Sequence, residues 1–69
     1  MNLGKALQEC RKRRGFTQSR MAEELYISRQ AYSSYENGSR TPSIYHLYEL
    51  SKLWEISLDE IMKRAEEIE

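Results

Sequence analysis

Apolar residues recur along the chain at helical spacing, and breaking residues divide them into five groups. No stretch alternates strictly between apolar and polar positions, so no strand is predicted. The breakers are Gly15, Tyr26-Ile27-Ser28, Asn37-Gly38 through Pro42, and Glu55-Ile56-Ser57. The pattern predicts one all-α domain over residues 1–69, with helices at approximately 2–14, 17–25, 28–36, 43–54 and 58–66.

Capping residues and apolar stripes support each predicted helix. Thr17 and Ser28 are suitable N-caps, Pro42 is tolerated near a first turn, and Ser57 with Glu60 matches a capping box. The stripes predicted to face the core are Leu3, Leu7 and Cys10; Met21, Ala22 and Leu25; Tyr32 and Tyr35; Ile44, Leu47, Leu50 or Ser51, and Trp54; and Leu58, Ile61, Met62, Ala65 and Ile68.

The second and third helices are joined by a turn so short that they must cross steeply and touch, which the small Ala22 allows. With Tyr32 and Tyr35 inward, the third helix presents polar side chains outward. Such a short helix fits the major groove of DNA, where Arg pairs with guanine and Gln with adenine, each pair worth roughly 1–3 kcal/mol of discrimination. The expected base-contacting residues are Ser28, Arg29, Gln30, Ser33 and Ser34.

Phosphate-binding groups are expected at the margins of the third helix. Gln18 lies in the first turn of the second helix, where free backbone N–H groups favour an anion. Asn37 and Arg40 follow the third helix, and the amides around Ser43 begin the fourth. The expected phosphate-contacting residues are Thr17, Gln18, Asn37, Arg40 and Ser43, which would position the protein while the third helix reads the sequence.

Charge is unevenly distributed although the formal net charge is zero. Up to Arg40 there are eight basic and four acidic residues, and from Thr41 onward there are three basic and seven acidic. Phosphate attraction depends on the local field, so the basic half can still meet DNA. The alternative is that charge has segregated by chance in a short chain.

The composition limits other functions. The single cysteine excludes an internal disulfide framework and a multi-cysteine metal site, and it fits a reducing compartment. No apolar run approaches a membrane span, and the N-terminus has no signal-peptide pattern. We therefore expect a cytoplasmic protein with no membrane contact. Since no catalytic constellation is visible, we expect no enzyme activity, cofactor or metal.

The chain resembles the phage-repressor/Cro-like (XRE-type) helix-turn-helix family from Leu3 to about Met62. The resemblance is carried by Leu3-Gly4, Leu7, Arg11, Phe16-Thr17-Gln18, Ala22, Leu25, Ile27-Ser28-Arg29, Tyr35-Glu36-Asn37-Gly38, Pro42-Ser43 and Ile56-Ser57-Leu58-Asp59-Glu60-Ile61. It implies a compact five-helix bundle of the lambda-repressor-like type, with the helix-turn-helix at helices 2 and 3. It also implies operator binding, usually as a dimer, and regulation of transcription.

The resemblance assigns roles to individual residues as well. Positions that commonly contact DNA in relatives are occupied by Gln18, Arg29, Gln30 and Ser34. Arg11 and Glu36 resemble a structural ion pair that ties the first helix to the third. Tyr26 occupies a turn position where glycine is usual, and a positive φ there would cost a tyrosine about 1–2 kcal/mol.

Several side chains admit two interpretations. Cys10 lies on an apolar stripe, which favours an inert core thiol over a redox sensor. His46 is expected at the surface, with a pH switch as the alternative. The basic run at residues 12–14 fits the last turn of a helix better than a nucleic-acid patch. The hydroxyl of Tyr32 needs a partner, and a DNA phosphate is one candidate.

Tyr45 and Tyr48 lie one turn apart on the fourth helix, partly outside its core stripe. They either shield the edge of the core or join Trp54 and Leu58 in an apolar patch for a second subunit. These two readings have equal support from the sequence.

The sequence predicts a sequence-specific DNA-binding transcriptional regulator. Repression by blocking the polymerase is the simplest mechanism, and activation through the acidic C-terminal half is the alternative. We expect a homodimer on double-stranded DNA with half-sites about 34 Å apart. The alternative is a protein-interaction module, such as the antitoxin of a toxin-antitoxin pair, with DNA binding secondary. Its partner protein would then bind the acidic fifth helix and the tyrosines of the fourth.

Overall fold

Five helices make up the computed structural model, which describes residues Met1–Glu69. They are α1 (Leu3–Arg13), α2 (Gln18–Leu25), α3 (Arg29–Asn37), α4 (Ile44–Trp54) and α5 (Leu58–Glu67). Their number and order confirm the all-α fold predicted from the apolar pattern. None of these helices has both the length and the apolar character needed to cross a lipid bilayer.

Every helix begins at a polar side chain that accepts a hydrogen bond from a backbone N–H three residues further on. The five caps are Asn2, Thr17, Ser28, Ser43 and Ser57. A cap of this kind typically contributes about 1 kcal/mol to helix stability. Because the caps sit just outside the helices, α1 to α4 start one residue later than the predicted ranges.

The core draws residues from all five helices, and Trp54 is the largest of its fully buried side chains. Its indole Nε1 donates a hydrogen bond to Met21 Sδ at 3.2 Å, which satisfies the one polar atom of the ring. Leu7, Leu50 and Ile61 fill the remaining space from α1, α4 and α5. This core fixes the relative positions of α2 and α3.

The backbones of α1 and α3 approach closely at Gly4. A Cβ atom built at this position would lie 2.8 Å from the carbonyl oxygen of Tyr35 and nearer still to that of Glu36. Only glycine therefore fits without a backbone shift. The contact holds the C-terminal part of α3 against the N-terminal end of α1.

The turn between α2 and α3 is built on Tyr26 in the left-handed conformation, with φ 57° and ψ 41°. Its side chain is 95% exposed, so no buried contact compensates for the unfavourable φ. The Tyr26 N–H donates to the carbonyl of Glu23, and Ala22 is buried beneath the crossing. The sharp turn expected from the resemblance is therefore present, made with a tyrosine rather than a glycine.

One expected core residue is exposed, and two of the alternatives offered by the sequence are excluded. Ile44 is 61% exposed instead of buried, because it is the first residue of α4 and lies beyond the edge of the core. Trp54 is inside the core and cannot belong to a surface patch with Tyr48. Tyr32 is also fully buried, so its hydroxyl cannot reach a phosphate, and it has no hydrogen-bond partner within the protein.

The sequence pattern left open whether Leu50 or Ser51 faces the core from α4, and the structure buries both. Leu50 and Ser51 are each buried, and the Ser51 hydroxyl donates to the carbonyl oxygen of Tyr48 at 2.9 Å. Leu47 and Trp54 complete the inward stripe. The apolar stripe of α4 therefore begins at Leu47, one turn later than predicted.

Candidate nucleic-acid interface

Two tyrosines anchor α3 on the core and thereby set which face it exposes. Tyr32 is fully buried, and its ring packs edge-on against Tyr35 with centroids 6.2 Å apart. The Tyr35 hydroxyl is hydrogen-bonded to His46 Nδ1 of α4 at 2.8 Å. With one face held by these contacts, the opposite face of α3 is left to solvent.

The exposed face of α3 carries two neighbouring rows of polar side chains. Arg29 and Ser33 form one row and Gln30 and Ser34 the other, each pair one helical turn apart, and the two serines are half-buried. Arg29 and Gln30 are exposed in the first turn, and no side-chain hydrogen bond within the protein occupies them. They are therefore free to bond to an external partner.

Ser28 and Ser34 on this face each use part of their hydrogen-bonding capacity within the protein. The Ser34 hydroxyl donates to the carbonyl oxygen of Ala31, so it can only accept a bond from a ligand. Ser28 Oγ accepts from the Ala31 N–H at 3.0 Å, which leaves its hydroxyl hydrogen free to donate. The two hydroxyls thus differ in the hydrogen bonds they can offer.

A shallow groove of about 340 Å³ runs along this side of α3. It is lined by Ser28, Gln30, Ala31, Ser34, Ser39 and Arg40. The Arg40 N–H donates to the carbonyl oxygen of Ser34 at 3.1 Å, which draws the loop after α3 back along the helix. The structure therefore brings three predicted base-contacting residues next to the predicted phosphate-contacting Arg40.

Ser39 is a lining residue that sequence reasoning missed. Its N–H donates to Asn37 Oδ1 at 2.9 Å, and Gly38 between them has φ 85°. This tight turn was indicated by Asn37-Gly38, but the pattern does not show which following residue folds back onto α3. The carboxamide nitrogen of Asn37 remains unused by this bond.

Four of the five predicted phosphate-contacting residues lie outside the groove, Asn37 among them. Thr17 and Ser43 use their hydroxyl oxygens as helix caps, and each keeps a hydroxyl hydrogen for another acceptor. Gln18 Nε2 donates to Glu36 Oε1 at 3.0 Å. The structure therefore connects Gln18 to α3 through Glu36 and not through the exposed face of that helix.

Arg11 of α1 and Glu36 of α3 form a two-bond ion pair. Arg11 Nε lies 2.6 Å from Glu36 Oε2 and Nη2 lies 3.1 Å from Oε1, while Nη1 donates to the carbonyl oxygen of Phe16 at 2.8 Å. The two side chains are only 9% and 3% exposed. The structure thus contains the structural pair that the family resemblance implied.

The electrostatics of this pair favour its charged form. Burial works to raise the pKa of Glu36, but hydrogen bonds from Arg11 and Gln18 outweigh it and hold that pKa below its ordinary value. The hydrogen bond to Glu36 likewise raises the pKa of Arg11. Both groups are therefore ionised at neutral pH, and their charges offset each other.

Several arginines of the chain are held by carboxylates, whereas the arginine of α3 and the one in the loop after it are not. Arg20 pairs with Glu24 at 2.9 Å and Arg14 pairs with Glu55 at 3.0 Å. Arg29 and Arg40 take part in no ion pair within the chain. The uncompensated positive charge beside α3 therefore comes from these two side chains. Of the basic run at residues 12–14, the first two lie in the last turn of α1 and the third is its C-cap.

Two side chains with alternative interpretations lie away from this face. Cys10 is 4% exposed, and burial raises the pKa of its thiol, which favours the inert thiol form. His46 is only half-buried and bonds Tyr35, so it braces α3 against α4. The sequence pattern does not show this hydrogen bond, because Tyr35 and His46 belong to different helices.

A helix-turn-helix family model matches residues 7–61 of the chain. The chain is 44% identical over 57 residues to an uncharacterised helix-turn-helix transcriptional regulator of Bacillus subtilis, YqaE, covering 83% of this chain and 49% of that protein. It is 39% identical over 66 residues to the helix-turn-helix transcriptional regulator ImmR of the same organism, covering 96% and 52% of the two chains.

A third relative is a phage protein. The chain is 36% identical over 64 residues to the cryptic phage CTXphi transcriptional repressor RstR of Vibrio cholerae, covering 93% of this chain and 57% of that protein. The chain thus spans about half the length of the curated relatives it matches. From this match and the five-helix fold, the chain belongs to the phage-repressor/Cro-like, XRE-type helix-turn-helix family.

Proposed function

We propose that the chain is the sequence-specific DNA-binding part of a transcriptional repressor, and that it inserts α3 into the major groove of an operator. The observation that carries the proposal is the pair Arg29 and Gln30. Both are exposed and unpaired in the first turn of a helix whose opposite face is locked to the core. An anchored helix with free Arg and Gln at its N-terminal end suits base recognition.

In this proposal the exposed face of α3 reads the bases. Arg29 offers a guanidinium fork to guanine, and Gln30 offers a carboxamide to adenine. Ser33 and Ser34 are small, so the helix can approach the base edges closely. Ser28, which keeps a free hydroxyl hydrogen, donates to a base or to the adjoining backbone.

Phosphates are held on either side of that helix. Arg40 supplies an unpaired charge along the groove, and Asn37 keeps its carboxamide nitrogen free. Thr17 and Gln18 at the start of α2, and Ser43 at the start of α4, add donors at two helix N-termini. These contacts fix orientation and register, and α3 supplies specificity.

Repression is supported by the name of the phage relative, RstR, which is a transcriptional repressor. A protein that occupies its operator needs no catalytic step to block a polymerase, and the proposal assigns none to this chain. The proposed place of action is the cytoplasm.

A homodimer is the assembly we propose on DNA. Ile44, Tyr45 and Tyr48 expose large apolar side chains along one side of α4, close after the loop that carries Arg40. The largest Cα dimension of one copy is 28 Å. Two copies bound side by side would place their recognition helices on half-sites about 34 Å apart, one turn of DNA.

The deciding experiment is selection of binding sites from a random duplex library at two salt concentrations. We expect enrichment of a two-fold symmetric motif whose half-sites are about ten base pairs apart. Weak, salt-sensitive binding with no enriched motif would contradict sequence-specific recognition. Sedimentation on the enriched duplex then tests the dimer: a complex that contains one copy only would refute it, and Tyr45→Ser with Tyr48→Ser should weaken a true dimer.

A further inference from the structure

Gln18 is held by a residue that is itself part of a buried ion pair. Its Nε2 donates to Glu36 Oε1 at 3.0 Å, and the same oxygen accepts from Arg11 Nη2 at 3.1 Å. Gln18 is half-buried in the first turn of α2, whereas Glu36 is nearly inaccessible near the end of α3. One carboxylate therefore links three elements: α1, the start of α2 and α3.

The chemistry of this contact fixes the orientation of the Gln18 carboxamide. An ionised carboxylate can only accept hydrogen bonds, so the amide nitrogen of Gln18 must face Glu36 and its Oε1 must face away. A primary carboxamide nitrogen carries two hydrogens. Glu36 takes one of them, and the second remains available on the partly exposed side of Gln18.

A carboxylate so close to a phosphate site would ordinarily repel the phosphate. Here Arg11 neutralises it with two hydrogen bonds, at 2.6 and 3.1 Å, and is itself fixed by the carbonyl oxygen of Phe16. Glu36 can thus orient Gln18 without adding net negative charge at the start of α2. Since backbone N–H groups at that helix start also favour an anion, the surroundings suit a phosphate.

We propose that Glu36 is a positioning residue for DNA binding: it holds Gln18 so that the second hydrogen of the carboxamide nitrogen meets a DNA phosphate. Gln18 then bridges the Glu36 carboxylate and the nucleic-acid backbone. Because Glu36 belongs to the same helix as Arg29 and Gln30, the bridge ties a phosphate contact on α2 to the position of α3 in the groove. The inference rests on the proposed DNA-binding function.

The test is a double-mutant cycle on affinity for the enriched duplex, using the whole chain with Gln18→Ala, Glu36→Gln and both changes. Affinities are measured at a temperature at which circular dichroism shows every variant folded. We expect Glu36→Gln to weaken binding about three- to tenfold when Gln18 is present, the size of one lost hydrogen bond. In the Gln18→Ala background the same change should have no further effect.

A matched cycle supplies the control. Gln30 makes no contact with Glu36, so Gln30→Ala and Glu36→Gln should weaken binding by independent factors. If Glu36 acts only through general stability, its effect will be the same in the Gln18→Ala background as in the wild type. That result would overturn the inference while leaving the proposed function intact. Failure of the wild-type chain to bind any duplex specifically would overturn both.

A second measurement avoids the risk that Glu36→Gln does not fold. In the wild-type protein, nuclear magnetic resonance should show one Gln18 carboxamide proton protected from exchange before DNA is added. The other proton should shift on titration with the enriched duplex and leave the first one protected. Two equally exchanging protons in the free protein, or loss of the protected one on binding, would contradict the bridge.

Discussion

Arg11 and Glu36, 25 residues apart in sequence, are joined by two hydrogen bonds of 2.6 and 3.1 Å in a nearly solvent-free position. The pair connects the first helix to the helix that we propose enters the major groove. Its geometry is that of a guanidinium fork on a carboxylate, which is directional as well as strong. The pair therefore ties α1 directly to α3.

Removal of one partner of the Arg11–Glu36 pair should therefore destabilise the fold strongly. We expect Arg11→Ala to lower the free energy of unfolding by about 3–5 kcal/mol, because Glu36 is left charged and buried. Urea denaturation followed by circular dichroism measures the change. Arg14→Ala is the matched control: its pair with Glu55 is exposed, so it should cost about 0–1 kcal/mol. Equal losses in the two variants would show that burial of the first pair does not matter.

Acid should weaken the protein through the same carboxylate. The folded-state pKa of Glu36 lies below its ordinary value of 4.5, so the stability it contributes is present above that value and is lost as the pH falls through the folded pKa. Between about pH 7 and about pH 3 the wild type should lose more stability than Glu36→Gln, which has no carboxylate to protonate. Thermal melting at several pH values tests this.

The control for the acid experiment is Glu9→Gln. A hydrogen bond to Arg64 lowers the pKa of Glu9 as well, but that pair lies at the surface, where solvent screens it. Glu9→Gln should therefore leave the acid sensitivity largely intact. A pH profile of Glu36→Gln parallel to that of the wild type would refute the assignment to Glu36.

Gly4→Ala should be destabilising although it adds a single methyl group at a helical position. The new Cβ would meet the carbonyl oxygens of Tyr35 and Glu36, so α1 and α3 must move apart. We expect a loss of about 1–3 kcal/mol, typical of overpacking, in chemical denaturation. Lys5→Ala, one residue away and exposed, should change stability by no more than about 0.5 kcal/mol. A neutral Gly4→Ala would mean that the two helices can separate freely.

Tyr26→Gly should stabilise the chain. Relief of the left-handed conformation is worth about 1–2 kcal/mol, and the greater freedom of glycine in the unfolded chain takes back about 0.5–1 kcal/mol. Little buried area is lost, because the tyrosine is exposed. A net increase in melting temperature is the expected result. Tyr45→Gly, in the exposed part of α4, should lower it instead; a fall for both would contradict the strain at Tyr26.

Base reading and phosphate binding should separate by mutation. Arg29→Ala should weaken binding to the enriched duplex far more than to random DNA, because a base contact is lost. Arg40→Ala should weaken both about equally and reduce the salt slope by about one unit. Equilibrium titrations at several salt concentrations measure both effects. Equal losses of Arg29→Ala on the two DNAs would remove Arg29 from base recognition.

The five helices could be predicted because their signals are local. Asn, Ser and Thr caps stand immediately before helical apolar stripes, and Asn37-Gly38 marks a turn by its composition alone. Local signals also explain why Ile44 was predicted in the core although it is exposed. A periodic pattern shows which face of a helix is apolar, but it does not show where along that face the core ends.

The polar geometry of the site depends on contacts between helices, which no local pattern contains. The bond from Gln18 to Glu36 spans 18 positions, and the bond between Tyr35 and His46 joins two helices. The close approach at Gly4 is invisible until α3 is placed beside α1. Sequence alone therefore predicted which residue types could bind DNA, while the structure supplied the contacts that would hold them.

The buried position of Trp54 gives the protein a built-in optical reporter. It is the one tryptophan in the chain, enclosed in the core with its indole nitrogen bonded to Met21. Its fluorescence therefore reports water entering the core when the helices separate. Ligands on the exposed face of α3 do not touch it. A change in its emission spectrum on addition of DNA would mean that the helices themselves had shifted.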